Sequence, residues 1–581
     1  MSTGSTRSQR RKAAAARRRA DAAQPLAAGA AAESAVAIPA AGERATASTR
    51  TSPAAPAIRA PASAWPEVSD RIFWIGALAI LIVAAVLRIY ALSVNPFHHD
   101  EGVNGWFVTN LVRRGEWDYD PANYHGPTLF YFALVTQTLF GLTDEGMRLV
   151  PVVFGLATVG LVLALRPFVG GVAALAAAAL LAISPGASYV SRYFIHESLV
   201  AFFTLGIVVS LLYLVRDRRQ RYLALAAASA ALLFATKETG IVAVAVLAIA
   251  AVVGVVYVRI RNPASGNPAD RTRGRGGRRS PASSRHGIAR WPEVITTEGL
   301  IVAAVVFVMV YVLFFTSFLS NPQGLVDSLA TFTIWTQTGT ETQVQPFHQY
   351  LVWMLQADAS ILLLGFVGGL LVAWRAEDRV AVFVGLWALG ITLAYSLVTY
   401  KTPWIALNML VPLAILAGLA VAEIARVAEF SRRVQPRPLR AGASVVLAGA
   451  LALSGYQSLD LNFVHYDDEK YPYSFVHTTR DALALVGEAE RIAAAAGTNE
   501  ETGIVVVAPE YWPLPWYFRN YPRVGFYGQI VPTEEPIIVA NVNQEAELAT
   551  TIAETYRRKN VYRLRPGVDL VLYVRQDVAD L

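Results

Sequence analysis

The sequence predicts an α-helical polytopic membrane protein with a small α/β domain at its C-terminal end. Of its 581 residues, 54% are hydrophobic and only 16% are charged, whereas soluble domains carry about 25% charged residues. Apolar runs recur along the chain at about the 20 residues that a helix needs to cross a bilayer. From residue 459 onward charges return and short β-type runs appear. The absence of cysteine excludes disulfides, thiolate metal sites and cysteine nucleophiles.

Two basic segments carry the positive charge of the chain. Residues 1–66 hold ten Arg or Lys against three Asp or Glu, and residues 259–290 hold nine Arg against one Asp. Because positively charged loops stay on the cytoplasmic side of a membrane, both segments are predicted to be cytoplasmic. Neither segment interleaves aromatic residues with its arginines as base stacking requires, so no nucleic-acid partner is expected.

Composition divides the chain into five parts. They are a disordered cytoplasmic tail (1–65), an N-terminal transmembrane module (66–258), a basic cytoplasmic linker (259–297), a C-terminal transmembrane module (298–458) and an extracytoplasmic α/β domain (459–581). Twelve apolar segments can be counted, but a cytoplasmic start and an extracytoplasmic end require an odd number of crossings. We therefore expect about 11–13 spans, with a broken one in 147–190, where Arg-Pro and Gly-Gly pairs interrupt the apolar run. The terminal domain is predicted to have strands at 504–508, 537–540 and 570–574 and a helix at 545–559.

The first ionisable cluster, His98-His99-Asp100-Glu101, follows the first predicted span. A carboxylate there can act as a general base that takes a proton from an attacking hydroxyl. Adjacent helical residues point about 100° apart, so only one of the two carboxylates can face a substrate while the other orients or caps. The alternatives are a plain acidic helix cap and a metal site. The metal site is disfavoured because adjacent histidines do not easily converge on one ion.

Further ionisable groups lie at the same predicted ends of later spans, where such groups are by default candidates for function. They are His125, Arg192, His196, Glu197, Lys237 and Lys401, with Trp404 close to the last. An ion pair between Arg192 and Glu197, and an interfacial anchor at Trp404, are the structural alternatives. The three cations together suit a phosphate leaving group, whose developing charge fixed cations stabilise.

The order of these motifs resembles that of the GT-C membrane glycosyltransferases of the protein-O-mannosyltransferase and aminoarabinose-transferase type. The motifs are Asp100-Glu101, Gly126-Pro127, Ser191-Arg192 with Glu197, and Thr236-Lys237. More narrowly, 98–102, 400–404 and 512–517 resemble an archaeal and bacterial subfamily labelled as associated with flippase activity. The resemblance implies that Asp100 is the catalytic acidic residue and Glu101 its neighbour. Glu197 matches a second acidic position that is usually Asp, and Lys237 a lysine turn whose following glycine is here Glu238.

From the residues and the resemblance we predict a GT-C type glycosyltransferase of the cytoplasmic membrane. The enzyme would invert the configuration at the anomeric carbon of the transferred sugar. Its donor would be a polyprenyl-phosphate-linked sugar, and its acceptor a hydroxyl of a glycan, lipid or protein at the outer face. Asp100 and Glu101 are the predicted catalytic residues, and no metal or other cofactor is expected. The predicted substrate-binding residues are His99, His125, Arg192, His196, Glu197, Lys237, Lys401 and Trp404.

The alternative function is a flippase, or a flippase accessory protein, that moves lipid-linked sugars without transferase chemistry. Transporters often contain inverted repeats and broken helices near the membrane midplane. The sequence shows no convincing internal repeat, and its candidate groups lie at the outer lip of the spans. Both features favour the enzyme.

Overall fold

The computed structural model describes residues 65–115, 119–121, 125–261, 294–337, 344–430, 437–552 and 554–580. The predicted tail, apart from Trp65, and most of the predicted linker, 262–293, lie outside these residues, as does Tyr124 of the motif around His125. The boundaries of the five predicted parts therefore stay predictions.

Helices make up most of the described chain before residue 460. They are α1 Asp70–Ile89, α2 His99–Arg114, α3 Thr128–Phe140, α4 Asp144–Ala164, α5 Arg166–Val169, α6 Gly171–Ile183, α7 Pro185–Ser191, α8 Glu197–Asp217, α9 Arg221–Phe234, α10 Gly240–Arg261, α11 Thr297–Phe315, α12 Gly324–Gln337, α13 Gln349–Ala357, α14 Ala359–Arg375, α15 Arg379–Leu397, α16 Leu407–Phe430 and α17 Arg437–Leu459.

The predicted fold class is confirmed. In the described ranges, 7 helices are long and apolar enough to cross a membrane, or up to 9 if each of two bent helix pairs counts as one span. The bent pairs are α6 with α7, at 62°, and α13 with α14, at 117°, while α3 and α9 are shorter apolar helices. The break predicted in 147–190 is present, but Asp144–Val169 runs on as one span and the sharp bend falls later, at Ser184.

The centre of the bundle is α16. The apolar stretch of Pro403–Val427 is 94% buried, against 17% for Thr297–Phe315. Glycines let neighbouring helices approach it, since a Cβ on Gly368 would lie 2.0 Å from the Leu416 carbonyl oxygen and one on Gly418 2.3 Å from that of Ala173. Small residues at contacts are typical of helices that pack inside a membrane.

The terminal domain is built on a five-stranded sheet of order β2-β1-β3-β5-β4. Its strands are β1 Ile504–Val506, β2 Val524–Phe526, β3 Ile537–Asn541, β4 Tyr556–Arg565 and β5 Val568–Arg575. β1 pairs in parallel with β2 and β3, whereas β5 pairs antiparallel with β3 and β4. Its helices are α18 Arg480–Ala495, α19 Leu514–Tyr517, α20 Glu545–Ile552 and α21 Gln576–Ala579. The helix predicted to reach 559 stops at Ile552, because Tyr556 onward pairs with β5.

Candidate functional site

Helix α2 begins at the first predicted cluster, and His98 is its N-cap. The His98 Nδ1 accepts a hydrogen bond from the Asp100 amide at 3.1 Å, so this nitrogen carries no proton, and Nε2 donates to the Phe475 carbonyl at 3.3 Å. Burial lowers the pKa of His98 to about 4. His98 is therefore neutral near pH 7, and it fixes the backbone of the residues that follow it.

Glu101 is fully buried, at 0% exposure, and its carboxylate is saturated. Arg148 binds both oxygens at 2.7 Å, while the Phe194 and His98 amides donate to them at 2.8 and 3.0 Å. A carboxylate offers about four acceptor sites, so none remains for a substrate. The geometry does not support the predicted catalytic role of Glu101, and we assign it a positioning role instead.

Asp100, one residue earlier, points elsewhere. It is half-buried, and its carboxylate makes no hydrogen bond or ion pair with any residue that the structure describes. His99 beside it lies 6.2 Å from the Trp512 ring, and burial lowers its pKa to about 4 although the charge of Asp100 opposes this. Of the two adjacent acids, Asp100 is thus the one with open acceptor sites.

A second polar cluster lies where α8 and α10 begin. The Lys237 Nζ is 2.5 Å from the Glu197 carboxylate, and the His125 Nδ1 is 3.0 Å from that of Glu238. The His125 and His196 rings lie 4.9 Å apart, and the His196 Nε2 has no hydrogen-bond partner among the described residues. Burial raises the pKa of Glu238, but His125 and Lys237 outweigh it and hold this pKa below its usual value. Lys237 already has a counter-ion in this cluster.

Lys401 differs from Lys237 because it lies in no ion pair within the described part of the chain. It is 1% exposed, and its Nζ donates to the Val398 carbonyl and, at 3.4 Å, to that of Gln345. Its Nζ also lies 6.0 Å from the centre of the Tyr350 ring. A buried cation without a counter-ion is costly, and this arrangement suits the arrival of an anion.

Arg192 does not face either cluster. Its guanidinium donates to the last carbonyls of α1 and the residues after it: Leu87, Arg88, Tyr90 and Ala91, at 2.6–3.4 Å. These carbonyls have no partner within the helix, so Arg192 caps α1. The geometry does not support its predicted contact with a substrate phosphate.

Trp404 lies inside the protein and is 9% exposed, so it is not an interfacial anchor. Its ring makes edge contacts with His98 at 5.7 Å and Tyr193 at 5.8 Å. The segment from Tyr193 to Glu197 then joins the two clusters, because the Phe194 amide binds Glu101 and Glu197 binds Lys237. Asp100, Lys237 and Trp404 are thus parts of one region at one end of the bundle.

The terminal domain docks on α2 through the distinctive string 512–517. A Cβ on Gly102 would lie 2.5 Å from Pro513, and one on Gly105 would lie 2.5 Å from the Trp516 ring, so only glycine allows this contact. Trp516 stacks on Phe97 at 4.8 Å. Its indole N–H also donates to Asp144 at 2.7 Å. The domain therefore holds the helix that carries Asp100.

The sequence did not suggest a role for Arg148, and it pointed to Tyr193 only as the neighbour of Arg192. Arg148 gave one usable signal, which is a charged residue in the first turns of an otherwise apolar span. Tyr193 gave no signal of its own, since a tyrosine near a span end is ordinary. In the described ranges no three His, Asp or Glu side chains are grouped to hold a metal ion. The prediction that the reaction needs no metal stays a prediction.

Comparison with protein families matches residues 124–264 to the model described as dolichyl-phosphate-mannose-protein mannosyltransferase. These residues include His125, Glu197 and Lys237. A comparison with curated protein sequences gives no match.

Solved structures share the fold. ArnT from Cupriavidus metallidurans in the apo state is 16% identical, with a TM-score of 0.57 over 88% of this chain and 98% of its own. The same protein bound to undecaprenyl phosphate gives 0.55 at 16% identity, over 86% and 97%. The archaeal oligosaccharyltransferase AglB from Archaeoglobus fulgidus, in complex with an inhibitory peptide and a dolichol-phosphate, gives 0.52 at 14% identity, over 82% and 70%. The chain therefore shares the fold of ArnT and AglB, and residues 124–264 resemble the mannosyltransferase family.

Proposed function

We propose that this chain transfers a sugar from a polyprenyl-phosphate donor to an acceptor hydroxyl at the outer face of the cytoplasmic membrane, with Asp100 as general base. The observation that carries the proposal is the division of labour between two adjacent carboxylates. Glu101 is saturated by Arg148 and two amides, whereas Asp100 keeps open acceptor sites on a helix that this ion pair and the terminal domain hold in place. A fixed, open carboxylate is what proton abstraction requires.

The chemistry balances without a further reactant. Asp100 takes the proton of the acceptor hydroxyl as its oxygen attacks the anomeric carbon from the face opposite the phosphate. The bond between that carbon and the phosphate oxygen breaks, and its electron pair leaves with the polyprenyl phosphate. A phosphate needs no general acid to leave, but its charge must be stabilised. We assign this role to Lys401, because it lies in no ion pair among the described residues and its charge is available to an anion.

Two further lines support the donor class and the orientation. The ArnT structure with undecaprenyl phosphate and the AglB structure with a dolichol-phosphate share the fold, which supports a polyprenyl-phosphate donor here. The arginine-rich segments 1–66 and 259–290 favour the cytoplasm. The site lies at the ends of α1 and α10 that are remote from these segments, which supports an outer location. The acceptor would be a glycan, lipid or protein hydroxyl, with the lipid bilayer as the medium that delivers the donor.

The test uses purified protein in sealed vesicles of known orientation. Undecaprenyl phosphates carrying mannose, glucose, galactose or arabinose are supplied with acceptor glycans, lipids and peptides, and products are identified by mass spectrometry. The expected result is sugar transfer only when donor and acceptor are on the side that carries the terminal domain, with or without a chelator. Loss of transfer on chelation would establish a metal requirement. Translocation of the donors without transfer to any acceptor would support the flippase and reject the enzyme.

A further inference from the structure

Tyr193 lies in the segment between α7 and α8 and is held by aromatic neighbours. It is 4% exposed. Its ring meets His98 edge-on at 5.1 Å and 90°, and Trp404 at 5.8 Å and 69°. Because these rings pack around Tyr193, they fix the position of its hydroxyl, which is not exposed to solvent.

The Tyr193 hydroxyl is buried and has no hydrogen-bond partner among the described residues. Nearly all buried polar groups in proteins are paired, so an exception calls for a reason. Tyr189, in the preceding turn, shows what the same surroundings can provide. Its hydroxyl donates to the Tyr466 carbonyl at 3.0 Å and lies 3.2 Å from the His477 Nδ1. Burial of a tyrosine here therefore does not by itself leave the hydroxyl unpaired.

The surroundings of the Tyr193 hydroxyl indicate which kind of group could be its hydrogen-bond partner. Burial raises the pKa of Tyr193 well above its usual value, with Asp100, Glu101 and Glu197 adding to the effect, so the phenol stays protonated and can donate. Those carboxylates are near enough to act on it, yet none accepts its proton. A substrate group that pairs with this hydroxyl would combine an acceptor oxygen with an apolar face that fits the rings of His98 and Trp404. Binding sites lined by aromatic rings with a few fixed polar groups have this character.

We propose that the Tyr193 hydroxyl donates a hydrogen bond to a carbohydrate hydroxyl of the substrate beside Asp100, and that Tyr193 thereby selects the sugar. This inference rests on the proposed transferase function. Either the donor sugar or a sugar of the acceptor could provide that hydroxyl, because the chemistry is the same.

Tyr193→Phe removes the hydroxyl and keeps the ring, and Tyr189→Phe is the matched control. With no ligand, Tyr193→Phe is expected to match or exceed the wild-type unfolding temperature, because it removes an unpaired buried group. Tyr189→Phe is expected to lower that temperature, because it strands the Tyr466 carbonyl and the His477 nitrogen. In transfer assays Tyr193→Phe should lower kcat/KM by about 2- to 13-fold, the size of one neutral hydrogen bond. Tyr189→Phe should keep the wild-type dependence on the sugar.

The deciding measurement repeats the transfer assay with singly deoxygenated analogues of whichever undecaprenyl-phosphate sugar the wild type accepts. One analogue should react equally well with wild type and Tyr193→Phe, because the partner of the hydroxyl is missing. If no donor analogue does so but a deoxygenated acceptor glycan does, the acceptor provides the hydroxyl. Transfer of the sugar to water, without acceptor, should then be unaffected by the substitution.

Two results would overturn the inference, and they are distinct. If wild type transfers sugar but Tyr193→Phe is unchanged, or loses the same factor on every donor and acceptor analogue, the hydroxyl binds at most a water molecule and the proposed function stands. If wild type transfers no sugar from any of the four undecaprenyl-phosphate donors to any acceptor, the proposed function fails and this inference fails with it.

Discussion

Replacing each of two lysines by methionine should have opposite effects on stability and binding. Lys237 is 2.5 Å from the buried carboxylate of Glu197. Lys401 also has a side chain that is little exposed, but it contacts only carbonyl oxygens and an aromatic ring among the described residues. Methionine keeps most of the length and apolar contact of a lysine while it removes the charge. Comparing the two variants therefore distinguishes a lysine that stabilises the fold from a lysine that binds an anionic ligand.

The structure gives the expected magnitudes. Lys237→Met leaves Glu197 buried without a counter-ion, and breaking a buried ion pair in this way costs about 3–5 kcal/mol of unfolding free energy. Lys401→Met strands no carboxylate among the described residues, so the unfolding temperature of the unliganded protein should be equal to or above that of wild type. A hydrogen bond to a charged group contributes about 1.5–3 kcal/mol. Lys401→Met should therefore weaken undecaprenyl-phosphate binding by roughly 10- to 150-fold.

Thermal unfolding in detergent, with and without undecaprenyl phosphate, measures both quantities on the same samples. We expect that Lys401→Met unfolds at or above the wild-type temperature and is no longer stabilised by the lipid phosphate. We also expect that Lys237→Met unfolds at a clearly lower temperature. If Lys401→Met loses stability as Lys237→Met does and still responds fully to undecaprenyl phosphate, Lys401 is a structural residue and another group binds the phosphate.

Three other predictions concern the support of Asp100. Glu101→Gln should lower the free energy of unfolding by about 3–5 kcal/mol in thermal melts, because it breaks a buried ion pair, and an unchanged melt would refute the assigned role. Gly105→Ala should lower the free energy of unfolding by about 1–3 kcal/mol and make the terminal domain sensitive to limited proteolysis, because its Cβ would lie 2.5 Å from the Trp516 ring. The control Gly160→Ala, whose Cβ would have nothing within 4 Å, should change neither the melt nor the proteolysis. His98 should contribute about 3 kcal/mol to the loss of stability between pH 6.5 and pH 4, because the unfolded chain gains a proton that buried His98 refuses until about pH 4. His98→Asn, which keeps a capping oxygen, should reduce the pH slope by that amount, and an unchanged slope would contradict this role.

Composition alone was sufficient to predict the membrane class, because lipid demands long apolar segments and the chain is 54% hydrophobic. Composition and hydropathy did not determine the number of membrane spans. Apolarity continues across the 62° bend at Ser184 and across the 117° bend at Asp358, so a hydropathy pattern cannot tell a broken segment from two crossings. The helix predicted to reach 559 failed for a related reason, because pairing with β5 decided the conformation from Tyr556 onward.

Sequence reasoning named candidate residues, but it did not predict which contacts each of them makes. The order of the motifs pointed to both Asp100 and Glu101. The helical repeat required their side chains to point in different directions, so that only one could face a substrate. Which of them is open depends on Arg148, 47 residues away from Glu101 in the chain, and no local pattern encodes that contact. Arg192 misled for the same reason, since its partners are backbone carbonyls of α1 that a sequence does not reveal.

The distinctive string 512–517 shows a different limit. The string was recognised as a family feature, but its packing depends on Gly102 and Gly105, and sequence reasoning assigned neither glycine a role in that contact. Only the close approach of Pro513 and Trp516 explains why no larger side chain fits there. The contact by which the terminal domain holds α2 is therefore visible only in the packed structure and not in the sequence.

The transfer rate of Asp100→Asn decides whether Asp100 is the general base. Asparagine keeps the shape of the side chain and loses its proton affinity. If Asp100 is the base, kcat should fall by about 10²- to 10⁴-fold, while the unfolding temperature and the stabilisation by undecaprenyl phosphate remain those of wild type. If Asp100→Asn transfers sugar at the wild-type rate, Asp100 is not the base and the proposed mechanism is wrong.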